Sequence, residues 1–191
     1  MYDDDADVTG ESGRLGAEVL ADPVLPRLTP ELLAAYLGTE VVDTAAVVWS
    51  GLGAVPGLED AWVITAENPF SELRDPAENA AANVHLVERI EADGFVTTRL
   101  VGRAPDLSWS EDCVAVRGAS LQQVCAWGRA YDQHAVFLLS ETTHAVVSCW
   151  SGQELGSRPR LWPGERHGGE RPHREPQGGP GGRPRPGASL R

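Results

Sequence analysis

The chain has 191 residues, which is enough for one domain with a sizeable core and short for two. All 16 of its basic residues are arginine, against 28 Asp and Glu, and the net charge is −12. The absence of lysine excludes Schiff-base chemistry and a P-loop, so the glycine-rich stretch 50–57 is predicted to be a flexible turn. The acidic residues are concentrated before Gly156, which makes nucleic acid an unfavourable partner for the folded part.

The first part of the chain is predicted to hold a flexible arm, a helix and two strands. Residues 1–28 are acidic and interrupted by Pro and Gly, a composition typical of flexible arms. A short helix follows, with Thr29 as N-cap and Pro30 at its first position. Residues 40–50 and 62–66 are rich in β-branched and aromatic residues, and each segment is interpreted as a strand.

A longer helix is predicted to begin after Asp75, its N-cap, with Pro76 at the first helical position. Glu78 lies three residues after the cap, which is the spacing of a capping box, and Gly94 marks the end. One face of this helix carries amides in its first half and apolar side chains in its second: Asn79, Asn83, Leu86 and Ile90.

The second half of the chain predicts a helix flanked by strands. The predicted strands cover 95–103, 112–117, 134–139 and 144–150, and the predicted helix covers 120–131. This α+β pattern contains the βαββαβ order of a ferredoxin-like sandwich, with an additional N-terminal helix and strand and a C-terminal hairpin strand. We expect the elements to form a single domain over residues 29–156.

The composition changes abruptly after Gly156. Residues 157–191 are rich in Arg, Gly and Pro and poor in apolar residues, which predicts a disordered tail. Such a tail suits contact with RNA or an anionic surface, or it is a neutral extension of the domain. Nucleic-acid binding, if the protein has it, is therefore expected in the tail and not in the folded domain.

Three cysteines, Cys113, Cys125 and Cys149, lack the spacing of a metal site and are interpreted as reduced, half-buried residues. The sequence predicts no metal and no cofactor. The first residues resemble no secretory leader, and no stretch approaches the about 20 apolar residues of a membrane span. We therefore expect a cytoplasmic protein that does not enter the membrane.

Polar side chains are predicted to meet at one end of the sandwich. Right-handed crossovers place the end of the first inner strand, the start of the long helix and the loop between the next two strands at the same end. The side chains expected there are those of Asn68, Asn79, Asn83, Arg103, Trp109, Glu111 and Gln133. The Asn-Pro corner at residues 68–69 is expected to form one wall of this polar cluster.

Several segments around these positions resemble one known family. They are TAENP (65–69), AENAAANVHL (77–86), VGRAPDLSWSED (101–112) and YDQHAVF (131–137). Their pattern is similar to that of a family of uncharacterised bacterial proteins, domain of unknown function (DUF) 3293, and the likeness covers about residues 31–147. It implies roles for Asn68, Asn79, Arg103, Trp109, Glu111 and Gln133. The chain departs from the pattern at Glu67, Ser110 and Asp132, where an aromatic residue, Pro and Gly are usual.

The family has no established activity, so function is inferred from the polar cluster. We favour a binding or interaction module that takes a small polar metabolite or a protein partner. One alternative is a hydrolase-type enzyme with Glu111 as general base and Arg103 as the anion-holding group, with His134 as a further candidate base. Another is a nucleic-acid accessory protein that acts through the tail. A buried amide network that locks the loops and binds nothing stays an open interpretation.

Overall fold

A computed structural model describes residues 28–161 of the chain. The α-helices of this part are α1 (Pro30–Gly38), α2 (Pro76–Ala92) and α3 (Leu121–Ala130), and a 3-10 turn covers Pro69–Ser71. The strands are β1 (Glu40–Asp43), β2 (Val48–Ser50), β3 (Ala61–Ile64), β4 (Thr97–Arg103), β5 (Ser110–Val116), β6 (Ala135–Leu139), β7 (Thr143–Ser148) and β8 (Glu154–Pro159). The predicted arm before Leu28 and the tail after Leu161 lie outside the described residues.

The helices begin at their predicted caps. At the start of α1, Thr29 Oγ1 accepts a hydrogen bond from the Leu32 N–H. At the start of α3, Ser120 and Gln123 form a reciprocal capping box. The capping box predicted for α2 is wrong, because the Asp75 carboxylate accepts from the Ala77 N–H, at 2.8 Å, and not from the N–H of Glu78. None of the helices in the described part has the length and apolar character to cross a membrane.

All eight strands join one antiparallel sheet in the order β2-β1-β4-β5-β3-β6-β7-β8. Together with the helices, this sheet confirms the α+β class. The single strand predicted over residues 40–50 is wrong, because the segment turns back on itself as the β1–β2 hairpin. Asp43 Oδ1 forms the turn by accepting from the backbone N–H groups of Ala45 and Val47, each at 2.8 Å.

The sheet has two apolar faces. On the outer face, α2 and α3 bury Leu86, Ile90, Val124 and Trp127 against the strands. On the inner face, a second apolar cluster is formed by the strands themselves: Val41, Trp49, Ala61, Val63, Leu100, Cys113, Ala115 and Leu139. The inner cluster has no large helix over it, so the sheet buries it by curling.

Contacts across the inner face hold the two ends of the curled sheet together. Ser50 Oγ in β2 lies 2.8 Å from Nδ1 of His144 in β7, whose side chain is fully buried. Burial, followed by the charges of Arg158 and Arg160, lowers the pKa of His144 to about 3, so its imidazole is neutral at pH 7. Arg158 also donates to the carbonyl oxygen of Thr39, after α1, at 2.9 Å.

The predicted domain boundary at Gly156 is corrected by β8, which crosses it and pairs with β7 as far as Pro159. The next residue, Arg160, is 1% exposed and donates to the carbonyl oxygen of Ser140 at 2.8 Å. The Leu161 carbonyl then accepts from the Ala54 N–H, at 2.8 Å. The sequence composition assigned Arg158 and Arg160 to the tail. In the structure, their guanidinium groups donate to backbone carbonyl oxygens of the domain.

Candidate functional site

The site is built around the corner that follows β3. Asn68, Phe70 and Ser71 have φ angles of 47°, 53° and 62°, in the left-handed region that side-chain-bearing residues seldom adopt. The Phe70 N–H donates to the carbonyl oxygen of Asp132, and the Phe70 ring packs against His134 at a centroid distance of 5.2 Å. The neighbouring α3–β6 connection thus holds the corner in a strained conformation, and such strain is concentrated at functional sites.

The Asn68 side chain links this corner to a helix and to a carboxyl group. Its Oδ1 accepts from Asn79 Nδ2 of α2, at 2.9 Å, and from the Arg74 N–H, at 3.0 Å. Its Nδ2 donates to Glu111 Oε1 of β5, at 2.7 Å. The Asn79 side chain also accepts from the Asn68 N–H, at 3.0 Å. Asn68 therefore uses every polar atom of its amide, and it fixes the position of Glu111.

Asn83 and Gln133 form a second part of the same cluster. Asn83 Oδ1 accepts from the Ala66 N–H at 2.8 Å, and its Nδ2 donates to Glu67 Oε1 at 2.9 Å. Gln133 Nε2 donates to the carbonyl oxygen of Glu67, also at 2.9 Å. The structure therefore brings together, around one corner, the five predicted residues Asn68, Asn79, Asn83, Glu111 and Gln133.

A cavity of about 500 Å³ lies between α1 and the inner face of the sheet, beside this cluster. Its apolar lining includes Leu32, Ala35, Val63 and Phe137. Its polar lining includes Tyr36, Thr65, Asn68, Ser71, Trp109, Glu111 and Gln133. Asn79 and Asn83 stand behind the wall and do not line it. The cavity is thus apolar along one part and polar at the corner.

Glu111 is the acidic side chain of this lining. Oε1 is held by Asn68, while Oε2 accepts no hydrogen bond from any residue between 28 and 161. Burial raises the pKa of Glu111, and the hydrogen bond from Asn68 opposes part of that rise. Burial also raises the pKa of Glu67, and the charges of Asp112 and Glu111 add to it. Two carboxyl groups near the corner are therefore held in an environment that disfavours their charge.

Arg103 does not join Glu111 in the cavity, although both lie at the predicted end. Gly102 is the residue of β4 directly opposite Glu111, so strand alternation places the neighbouring Arg103 on the other face of the sheet. There its guanidinium is paired with Glu40, at 3.1 Å. The predicted pairing of Glu111 with Arg103 is therefore corrected. Trp109, in contrast, lines the cavity from the β4–β5 loop.

The other candidate groups for catalysis are poorly suited to it. His134 is 6% exposed, is not part of the cavity lining, and has its pKa lowered by burial. Cys113 lines the cavity two residues after Glu111, but burial raises the pKa of its thiol well above the usual range. All three cysteines are buried free thiols, more deeply enclosed than the half-buried positions expected from the sequence.

Sequence reasoning missed six hydroxyl-bearing residues of the lining, among them Tyr36, Thr65 and Ser71. The hydroxyl of Tyr36 in α1 and the hydroxyl of Ser71 in the 3-10 turn both line the cavity and share a hydrogen bond of 2.7 Å. Thr65 Oγ1 donates to the carbonyl oxygen of Asp112, at 2.7 Å. A signal for Tyr36 was present, because Leu32 and Tyr36 are four residues apart and therefore lie on one face of α1. Ser71 had no such signal, since its position depends on the strained corner.

Fold and site together define an α+β protein with an acidic, amide-supported cavity on the inner face of a curled antiparallel sheet. Residues 64–136 match the family model described as "Protein of unknown function (DUF3293)". This match confirms the resemblance to the DUF3293 family seen in the motifs of the chain. The searches of curated proteins and of solved structures returned no match.

The matched segment contains the corner, α2, Glu111 and Gln133, whereas α1 lies outside it. Asp132, where Gly is usual in the family, has a φ of 52°. Glycine adopts this backbone conformation without steric cost, which gives a physical reason for its use there. The departure at Asp132 therefore keeps the local backbone shape and adds strain to it.

Proposed function

We propose that the protein binds a small organic molecule in the cavity under α1, with Glu111 as the polar anchor. The observation that carries this proposal is a largely buried carboxyl group with one oxygen fixed by Asn68 and the other left without a partner in residues 28–161. Glu111 Oε2 is accessible from the cavity, so it is free to accept a hydrogen bond from a ligand. Ligand pockets typically carry a few polar groups of this kind, which orient the ligand.

The size and lining of the cavity support the same proposal. Ligand pockets are commonly about 300–1,000 Å³ and mostly apolar, with a few polar groups that orient the ligand. The volume of about 500 Å³ lies within this range, and the polar groups are gathered at one corner. Strained backbone at Asn68, Phe70 and Ser71 beside that corner is a second feature typical of binding sites.

The amides have two different roles in this proposal. Asn79 and Asn83 use their side chains to bond the corner backbone, and they lie behind the cavity wall. We assign them the structural role that was left open by the sequence. Glu111, Gln133 and Trp109 line the cavity, and we assign contact with the ligand to them.

An enzyme that uses Glu111 as general base is the second candidate. One observation favours it: burial raises the pKa of Glu111 toward the range that suits proton transfer near neutral pH. In this version of the proposal Arg103 has no role, because its guanidinium is bound to Glu40 on the opposite face. Turnover of ester or amide derivatives of a bound molecule, abolished in Glu111→Gln, would favour the enzyme over the binding module.

A fragment screen on the full chain by NMR tests the binding proposal. Ala35 lines the cavity from α1, so Ala35→Phe places a large ring in the ligand space. Ala34 is exposed on the same helix and does not line the cavity, which makes Ala34→Phe the matched control. We expect fragments that bind the wild type and Ala34→Phe but not Ala35→Phe. Failure to find any fragment with this pattern contradicts the proposal.

Three broader inferences accompany this function. The four central strands β4-β5-β3-β6, all antiparallel, support a ferredoxin-like arrangement that is extended by a hairpin on each side. Buried free thiols support a reducing, cytoplasmic location. Binding of nucleic acid by the Arg-rich tail stays an untested alternative, and so does a protein partner at the cavity mouth.

A further inference from the structure

We propose that the cavity is specific for a cationic amine attached to an apolar body. This inference rests on the proposed binding function and names the class of ligand for the same site. It follows from three properties of the lining: its charge, its distribution of hydrogen-bond donors and acceptors, and its apolar and aromatic walls.

The charge of the lining is negative. Glu111 is the acidic member, and no arginine or histidine of residues 28–161 lines the cavity. Arg103, the cation predicted for this site, lies on the other face of the sheet and is paired with Glu40. The chain as a whole has a net charge of −12, which attracts cations to its surface. An anionic ligand would therefore meet a carboxyl group with no compensating cation, whereas an ammonium group would supply the missing charge.

The polar wall offers acceptors, because most of its donors are already used. Asn68 Nδ2 donates to Glu111, Gln133 Nε2 donates to two backbone carbonyls, and Thr65 Oγ1 donates to the carbonyl of Asp112. Glu111 Oε2 and Gln133 Oε1 accept no bond from the described residues. A primary ammonium group has three donors and no acceptor, which matches this wall.

The remaining wall suits an apolar body. Leu32 and Ala35 from α1 face Val63 and Phe137 of the sheet across the cavity. The rings of Tyr36 and Phe137 pack edge to face at a centroid distance of 6.0 Å, and Trp109 completes an aromatic lining. Aromatic faces attract organic cations as well as apolar groups. The cavity therefore fits an amphiphilic amine better than a fully polar metabolite such as a sugar.

Three probes of one shape test the inference on the full chain: 2-phenylethylamine, 2-phenylethanol and phenylacetate. They share an apolar ring and differ in the charge of the head group. NMR titration measures the dissociation constant of each. We expect the amine to bind at least about tenfold more tightly than the alcohol, since a hydrogen bond to a charged group is stronger than a neutral one, and phenylacetate to bind most weakly.

Glu111→Gln then identifies the group responsible. Glutamine keeps an oxygen to accept from Asn68 and loses the charge, so we expect the amine to lose about tenfold in affinity or more while the alcohol keeps its affinity. Glu88→Gln removes the same charge from an exposed position on α2 and is the matched control, with no change expected.

The comparison of probes with the wild type decides the matter even if a variant folds poorly. If the alcohol or phenylacetate binds as tightly as the amine, the amine specificity is refuted, and binding that is still blocked by Ala35→Phe leaves the cavity proposal standing. If none of the three probes binds, the inference is refuted as well. The fragment screen then decides the proposed function independently.

Discussion

Replacing Asn68 tests whether the corner is held by its side chain, its backbone conformation, or both. In Asn68→Ala the Asn79 amide and the Arg74 N–H lose their acceptor, and Glu111 loses its donor. Each stranded buried group costs about 1–3 kcal/mol. The φ of 47° adds about 1 kcal/mol for alanine, which asparagine tolerates better. Because the Arg74 N–H and the Glu111 carboxylate are only part-buried and regain hydrogen bonds to water, the total is smaller than the sum of these costs, and we expect a loss of about 3–5 kcal/mol in the free energy of unfolding.

Asn68→Gly separates the two contributions. It loses the same hydrogen bonds but adopts the left-handed backbone without strain, so it should be more stable than Asn68→Ala by about 1 kcal/mol. Urea unfolding, followed by tryptophan fluorescence, gives both free energies. Equal stabilities of the two variants would refute the argument from strain. A loss below about 1 kcal/mol in Asn68→Ala would refute the argument that the network supports the fold.

Three further predictions concern the domain end and the buried titratable groups. A chain that ends at Gly156 loses half of β8 and the hydrogen bonds of Arg158 and Arg160. Its thermal midpoint should therefore be lower than that of a chain that ends at Leu161, by at least the ~2–4 °C that about 1 kcal/mol represents. Equal midpoints would contradict the extension of the domain to Leu161. Because the pKa of Glu111 is raised in the folded state, the contribution of this residue to stability falls as pH rises from its ordinary pKa of 4.5 through the raised pKa. Glu111→Gln should lack this fall and should be at least as stable as the wild type at pH 7. A variant less stable than the wild type at pH 7 would contradict the raised pKa of Glu111. The pKa of His144 is lowered to about 3 in the folded state, so on acidification the unfolded state gains a proton that the folded state does not, and stability is lost as pH falls from 6.5 toward 3. His144→Asn should flatten this part of the plot of thermal midpoint against pH. An unchanged slope would show that His144 is not neutral in the folded protein.

Much of the fold was predictable because its signals are local. Pro30, Pro76 and Ser120 mark helix starts through the conformations and hydrogen bonds of single residues, and all three starts are confirmed. The meeting of Asn68, Asn79 and Glu111 was also predictable, since the handedness of crossovers decides which element ends share a side of the sheet. Local rules and one rule of topology thus led to the polar cluster.

The cavity itself was not predictable, because it depends on contacts between distant parts of the chain. The position of α1 depends on its contacts with β7 and β8 and on Arg158 of β8, which donates to the Thr39 carbonyl at the end of that helix. The face of Arg103 depends on the register of β4 with β5, which a single residue of shift would reverse. The role of Arg158 and Arg160 could not be predicted for another reason. Their sequence neighbours have the composition of a disordered tail, and composition gives no information on which arginines donate to backbone carbonyl oxygens in the folded domain.

The end strands of the curled sheet also bear on how the protein behaves at high concentration. An unpaired strand edge is a template for pairing with another molecule, and short strands, bulges, charged residues and proline reduce this hazard. β2 has three residues, while β8 has a register shift beside Val147 and carries Arg158 and Pro159. If β8 detached, it would uncover β7, a strand with four consecutive buried residues. Loss of the last strand would therefore promote self-association of the chain before the rest of the domain unfolds.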